Sequence, residues 1–194
     1  MTPWRYASVL LAFGAQRGIE LVYSARNERA IRARQPLAPQ ASEKTFQLIA
    51  LANLGLFTLP VLERAWRRRS PPAVIAAIGW TAAITGVALR LSVLASLRQS
   101  WTVRAVVPSD LRVATRGPYR FVRHPNYVAL ALEFLGLPLI GGAYLSALGL
   151  GLLNGILLGS RIRDEEALLN AIPSYRTLMG QKPRFLPRLR VTAR

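Results

Sequence analysis

The sequence predicts an all-α integral membrane bundle of about five transmembrane helices, a hydrocarbon core of roughly 30 Å requiring about 20 apolar residues per crossing. Three observations predict it. The 194 residues are 52% hydrophobic with a mean hydropathy of +0.25, yet carry a net charge of +17. High apolarity and high charge coexist only when segregated along the chain, and here they are. Three tracts, Thr45–Leu62, Pro72–Leu89 and Val128–Ser160, hold no charge except Glu133, and arginines crowd the gaps between them. Strand signals are absent, as are internal repeats. The length suits one membrane domain, with helices over residues 1–98 and a hairpin and tail over 99–194.

The elements follow in order. Trp4–Tyr23 is apolar apart from Arg5, Arg17 and Glu20 and reads as the first membrane helix. A secretory signal peptide is the rival, but no small-residue cleavage pattern closes it and Arg17 interrupts its apolar stretch. Arg17, Glu20, Ser24 and Asn27 are spaced to share one helical face, with Arg17 and Glu20 close enough to pair. Such a stripe is either a buried structural ion pair or the lining of a polar pocket. Arg26–Ser42, with Pro36 and Pro39, reads as a loop. Thr45–Leu62 and Pro72–Leu89 are just long enough to span, and Asn53 within the first suggests a hydrogen bond between helices. Arg90–Arg123 is the longest extramembrane stretch inside the chain, with a turn at Pro108-Ser-Asp110.

Val128–Ser160 is too long for one crossing. Pro138 and Gly141-Gly142 break it into a hairpin with arms Asn126–Leu137 and Ala143–Ser160. Gly151, Gly155 and Gly159 recur every four residues, a pattern for close backbone approach between membrane helices. The run Gly149-Leu-Gly-Leu-Leu-Asn-Gly155 is no dinucleotide fingerprint, because no strand precedes it. The tail continues as an amphipathic helix over Arg161–Ala171, ends at Ile172-Pro173, and runs on through the basic segment Lys182-Pro-Arg-Phe-Leu-Pro187.

Charge excludes some functions and suggests an orientation. A soluble nucleic-acid binder would gather its basic residues on one face, whereas these flank membrane-length segments. Segments 26–44, 90–123 and 161–194 hold 5, 7 and 8 Lys and Arg, against Arg5 and four arginines in Arg64–Arg69 on the other side. The positive-inside rule then puts the N-terminus outside and the long loop and tail in the cytoplasm, with the Arg64–Arg69 turn as a discordant feature. With no cysteine and one histidine, disulfides and thiolate chemistry are excluded and a metal centre is not expected.

The residues that could carry chemistry bracket the hairpin. Before it lies Gly117-Pro-Tyr-Arg-Phe-Val-Arg-His-Pro-Asn-Tyr127, and after it Arg161-Ile-Arg-Asp-Glu-Glu166. His124 precedes a proline and should be extended, while Pro125 suits the first turn of a helix. Free N–H groups and the positive dipole end there, with Arg120, Arg123 and His124 beside them, suit a carboxylate or phosphate; interfacial anchoring is the alternative. Asn154, Arg161 and Glu165 fall on one face of a continuous helix, with Arg161 and Glu165 placed for a surface ion pair. Glu133, a lone carboxylate within an apolar arm, needs a partner or a cavity.

In this order the residues resemble the isoprenylcysteine carboxyl methyltransferase family, as a bacterial-type member. The hallmarks are Arg123-His124-Pro125-Asn126-Tyr127, the apolar hairpin, and Glu165-Glu166; Gly117-Pro118-Tyr119, Tyr175 and Pro183-Arg-Phe-Leu-Pro187 fit around them. The likeness covers about residues 100–187 and, more loosely, Glu20–Asn27. It implies a membrane methyltransferase that uses S-adenosylmethionine without a Rossmann domain, its cofactor pocket cytosolic and formed by the C-terminal half. By the resemblance, Arg112, Val113, Ala114, Tyr119, His124, Pro125, Asn126, Tyr127 and Glu165 would bind the cofactor. Arg161 would face the methyl acceptor, with Asn154 and Glu20 also on the acceptor side.

The cofactor carries a carboxylate, an ammonium and a sulfonium, so it needs donors such as His124 and an acceptor such as Glu165. Methyl transfer is an in-line displacement, dominated by positioning and electrostatics. A carboxylate acceptor needs no base and could be aligned by Arg161. A phenolic acceptor, with a pKa of about 10, benefits from one, and Glu133 is the candidate. The expected partners are membrane lipids and a lipophilic small molecule or prenylated acceptor, no nucleic acid, with the active site on the cytoplasmic side of a bacterial inner membrane. The competing functions are a phospholipid N-methyltransferase and a non-enzymatic membrane scaffold that binds anionic lipid.

Overall fold

The computed structural model describes residues 1–187. The seven beyond them, including the last three arginines of the tail's charge count, lie outside the described residues. Thr2 starts the first helix: its Oγ1 accepts from Arg5 N at 3.4 Å, and Pro3 takes the first helical position, where a missing N–H costs nothing. This helix, α1, runs over Pro3–Arg34, well past the expected boundary near Tyr23, because no breaker occurs before Gln35-Pro36. Ser42 caps α2 (Glu43–Arg67) in the same way, accepting from Thr45 N at 3.4 Å. The third, α3 (Ala73–Leu97), also outlasts its apolar tract, so Arg90 sits within a helix rather than a loop.

The hairpin forms as expected, with altered limits. Its arms are α4 (Pro125–Gly141) and α5 (Tyr144–Asn170), and a short α6 (Pro173–Met179) follows. Pro138 does not end α4. It lies in the last turn, and the chain reverses only at Gly142, whose φ of 73° suits glycine. Among the described residues there is no strand, only an isolated bridge between Gln40 and Val106. The turn at Pro108 is present, closed by Leu111 N donating to Pro108 O at 3.1 Å.

Against about five expected crossings, three helices among the described residues are long and apolar enough to span by length and composition, α2, α3 and α5. At 17 residues α4 is short, and α1, though 32 residues long, is too interrupted by charge to qualify. Three such helices and the apolar α4 make this an integral membrane protein.

Close backbone approach occurs between α3 and α4, not on α5. A Cβ on Gly79 would lie 2.7 Å from Ile140 N, one on Gly136 2.6 Å from Ala83 N, and one on Gly86 2.9 Å from Glu133 Cγ. By contrast, a Cβ on Gly151, Gly155 or Gly159 would meet nothing within 4 Å, so the expected packing stripe is unused inside this chain. Asn53 likewise bonds within its own helix, donating to Ile49 O at 2.8 Å, and bridges to no other helix.

The two ends of the bundle differ in chemistry. One gathers Met1, the α2–α3 turn and the α4–α5 turn. There the buried Arg64 donates to the Arg69 carbonyl, to Ser70 Oγ at 3.1 Å and to Met1 O at 2.8 Å. Arg67 lies over the Tyr144 ring, and Glu63 caps α5 by accepting from Leu145 N and Ser146 N. Two of the four discordant arginines are therefore occupied in holding turns. The opposite end joins the end of α1, the loop after α3 and the tail, and carries the basic segments.

Candidate active site

The site lies at the basic end and is built from both sides of the hairpin. His124 is the N-cap of α4, with φ −124°, and Pro125 begins the helix. The first turn of α4 thus projects Asn126 and Tyr127 toward the far end of α5. There Tyr127 Oη donates to Glu165 Oε2, and His124 Nε2 donates to Glu166 Oε1 at 2.9 Å. Glu166 is also gripped by Arg184, through Nε to Oε1 at 3.0 Å and Nη2 to Oε2 at 2.6 Å, with Arg123 Nη1 3.6 Å away. Adjacent glutamates therefore do different work: Glu165 faces the cavity, and Glu166 ties α5 to the tail.

The tail crosses over this junction. Arg123 N donates to Pro183 O and His124 N to Arg184 O, each at 2.9 Å, and Lys182 Nζ donates to Tyr119 O at 2.7 Å. Under this strap the phenols of Tyr119 and Tyr175 are shielded. Burial, reinforced by the negative charge of Glu165, pushes Tyr175 up to about 12 and Tyr119 higher still, so both remain hydroxyl donors.

One cavity of about 510 Å³ runs through the site. Arg112, Val113, Ala114, Tyr119, His124, Asn126, Tyr127, Arg161, Glu165 and Glu20, all expected from the sequence, line it. Three expected residues do not. Pro125 is buried in the start of α4 and Asn154 lies deep in the bundle, neither on the cavity wall. Glu133 is also off the wall: its carboxylate accepts from Arg17 Nη2, with Arg90 Nε 3.5 Å away. These neighbours pair the lone carboxylate with two cations, although its Oε1 has no hydrogen-bond partner among the described residues. The expected Arg161–Glu165 pair is not formed either, because Arg161 Nη2 donates to Val103 O at 2.6 Å while Glu165 takes Tyr127.

The cavity is not the property of the C-terminal half alone. Its other wall comes from α1 and α2, including Gly14, Leu21, Phe46, Leu54 and Phe57, and from the loop Trp101–Val107. Sequence reasoning expected Glu20 and offered its polar stripe as a lining, but missed the apolar part of this wall, Arg90, and the contributions of Tyr175 and Met179. Arg90 reads in sequence as a charge flanking a span, and only its burial between helices reveals another duty. Leu21 and Leu54 line the cavity and yet are more than half exposed on the bundle's flank, so the cavity opens sideways between α1 and α2.

The polar stripe on α1 proves to be divided labour. Arg17 and Glu20 pair at 3.3 Å, as their spacing predicts. Ser24 Oγ accepts from Val103 N at 2.8 Å, and Asn27 Nδ2 donates to Arg98 O at 3.0 Å and Trp101 O at 2.9 Å. The lower half of the stripe thus clasps the loop that in turn anchors Arg161.

Six side-chain polar atoms on cavity-lining residues are buried without a hydrogen-bond partner among the described residues, Arg161 Nη1 and Tyr175 Oη among them. Unpaired buried donors are costly, and their place on the cavity wall fits a ligand bearing oxygen. With the carboxylate of Glu165 available to an ammonium, the donor and acceptor set suits an amino-acid-bearing group such as the one the sequence resemblance implies. Among the described residues no cluster suited to a metal ion occurs.

Fold and site together define an all-α integral membrane protein whose polar cavity is continuous with an apolar flank. Residues 77–171 match the model of the Isoprenylcysteine carboxyl methyltransferase (ICMT) family, and over this segment the chain is similar to that family. A methyltransferase in general terms follows. The chain is 25% identical over 171 residues, 86% of it and 95% of the relative, to a Bacillus subtilis (strain 168) protein called Uncharacterized protein YpbQ. It is 26% identical over 158 residues, 80% of it and 90% of the relative, to an uncharacterized protein of Haemophilus influenzae.

Proposed function

We propose that the protein is an S-adenosylmethionine-dependent O-methyltransferase that takes a lipophilic acceptor from the bilayer. The observation that carries this reading is the single cavity shared by the motif residues Tyr127, Arg161 and Glu165 and by the half-exposed apolar side chains of α1 and α2. A water-soluble acceptor would gain nothing from an opening between two membrane-facing helices, whereas an apolar tail could lie in it.

When bound, S-adenosylmethionine supplies a methyl group on a sulfonium. The chain's own residues bind and orient. Glu165 accepts from an ammonium, with Tyr127 fixing its carboxylate. Arg161, anchored on Val103 O through Nη2, holds Nη1 toward an acceptor oxygen. The strap over His124 limits water at the polar end. An acceptor carboxylate needs no base, whereas a phenol would need one to take its proton. The concentration of basic residues at the site's end supports a cytoplasmic orientation in a bacterial inner membrane.

The test is calorimetry with S-adenosylmethionine on detergent-purified protein, followed by incubation of methyl-labelled cofactor with a total lipid extract. Saturable binding and a labelled lipid are expected. Base hydrolysis then separates methyl esters from ethers and amines. No cofactor binding, or label appearing only in amines, would overturn the reading.

A further inference from the structure

Arg90 is almost fully buried on α3, and nothing in the family hallmarks draws attention to it. Its guanidinium stands among three charged side chains from two other helices. Nε lies 3.4 Å from Glu20 Oε2 and 3.5 Å from Glu133 Oε1, and Arg17 bonds to both of those carboxylates. Two cations face two anions, so the cluster is neutral and joins α1, α3 and α4. Glu133 can sit there because α3 has glycine at 86, where any Cβ would press on the glutamate stem.

Arg17, Glu20 and Arg90 of this cluster line the cavity, and Arg90 also reaches a motif residue on its wall. Arg90 Nη1 donates to Asn126 Oδ1 at 2.6 Å. An arginine offers only donors, so this contact decides which way the Asn126 amide faces. With Oδ1 occupied, Asn126 can show the cavity its Nδ2, for which no acceptor is paired among the described residues. Asn126 is also the second residue of α4, where the helix's free N–H groups and dipole favour negative charge.

Resting on the methyltransferase reading, we propose that Arg90 is a positioning residue that locks Asn126 as an N–H donor to an anionic oxygen, namely the carboxylate of the bound cofactor. The neutral cluster behind it holds the guanidinium still without adding net charge to the cavity. Arginine is needed because lysine, with a single ammonium, cannot reach two carboxylates and an amide oxygen in one fixed geometry.

Calorimetric titration of S-adenosylmethionine into detergent-purified variants tests this, with no turnover required. Asn126→Ala is expected to weaken binding about tenfold, as for loss of one hydrogen bond to a charged group. Asn126→Asp keeps an oxygen for Arg90 but replaces the donor with a charge, and is expected to bind more weakly still than Asn126→Ala. Arg90→Lys is expected to weaken binding about tenfold alone and to have no further effect in the Asn126→Ala background, the signature of two residues acting as one unit. Additive losses from Arg90→Lys and Asn126→Ala, or Asn126→Asp binding as well as Asn126→Ala, would overturn the proposal while leaving the methyltransferase reading intact. Absence of binding in the unsubstituted protein would overturn both. The Asn126 pair of variants keeps the proposal open to refutation even if Arg90→Lys fails to fold.

Discussion

Tyr127 and Glu165 meet through a hydrogen bond across 38 residues of chain, the phenol of α4's first turn donating to a carboxylate near the end of α5. The whole apolar hairpin lies between them, so this contact reports that both halves of the motif reach the same end of the bundle. Removing the hydroxyl leaves the Glu165 carboxylate without its fixed donor. Tyr127→Phe is expected to weaken S-adenosylmethionine binding by about 10-fold, and Glu165→Ala by more, since a hydrogen bond to a charged group contributes about 1.5–3 kcal/mol. Calorimetry measures both. Unchanged affinity in Glu165→Ala would remove it from the cofactor's site.

Arg161 is expected to act on the acceptor instead. Arg161→Ala should lower turnover about 100-fold or more, the usual scale for losing a donor aimed at reacting charge, with cofactor affinity within a few-fold of the parent. Single-turnover assays beside calorimetry separate the two quantities. Parallel loss of both would show that Arg161 serves the cofactor.

The loop that anchors Arg161 depends on α1. Asn27→Ala removes two bonds to the Arg98–Trp101 backbone and should reduce turnover more than cofactor affinity, by releasing Val103 and with it the guanidinium. Equal effects on Asn27→Ala and Arg161→Ala double and single variants would be consistent with one chain of contacts; fully additive effects would not.

Glycines divide by position. Gly136→Ala forces a methyl against the backbone of α3 and should destabilise the fold by about 1–3 kcal/mol, whereas Gly155→Ala meets no neighbour and should be neutral or slightly stabilising. Thermal unfolding in detergent distinguishes them. Equal shifts would mean that α5's glycine face is packed against something outside the chain.

Alkaline pH tests the shielding of Tyr175. Its folded pKa of about 12 exceeds the usual phenol value near 10, so the folded state holds its proton longer than the unfolded state does. Stability from this difference is intact below about pH 10 and is lost as pH rises toward 12. Tyr175→Phe should flatten the decline in unfolding temperature across that window. An unchanged slope would mean that the phenol is solvated.

The sequence by itself determined the helical class, the hairpin and most of the polar site. Segregated apolar tracts must form helices in a membrane, since every backbone group there needs an internal partner. Local spacing was also enough for Arg17 with Glu20, and for the start of α4 at Pro125 with His124 outside the helix, though its ψ of 55° is not the extended value expected. The limits of α1 and α3 were less legible, because polar residues end an apolar tract without ending a helix. The packing of helix on helix was needed to show that Glu133 faces two arginines, that α3 and α4 rather than α5 use glycine for contact, and that α1 and α2 supply one wall of the cavity. Those facts depend on which faces of distant helices meet, and periodicity along one helix carries no information about its neighbour.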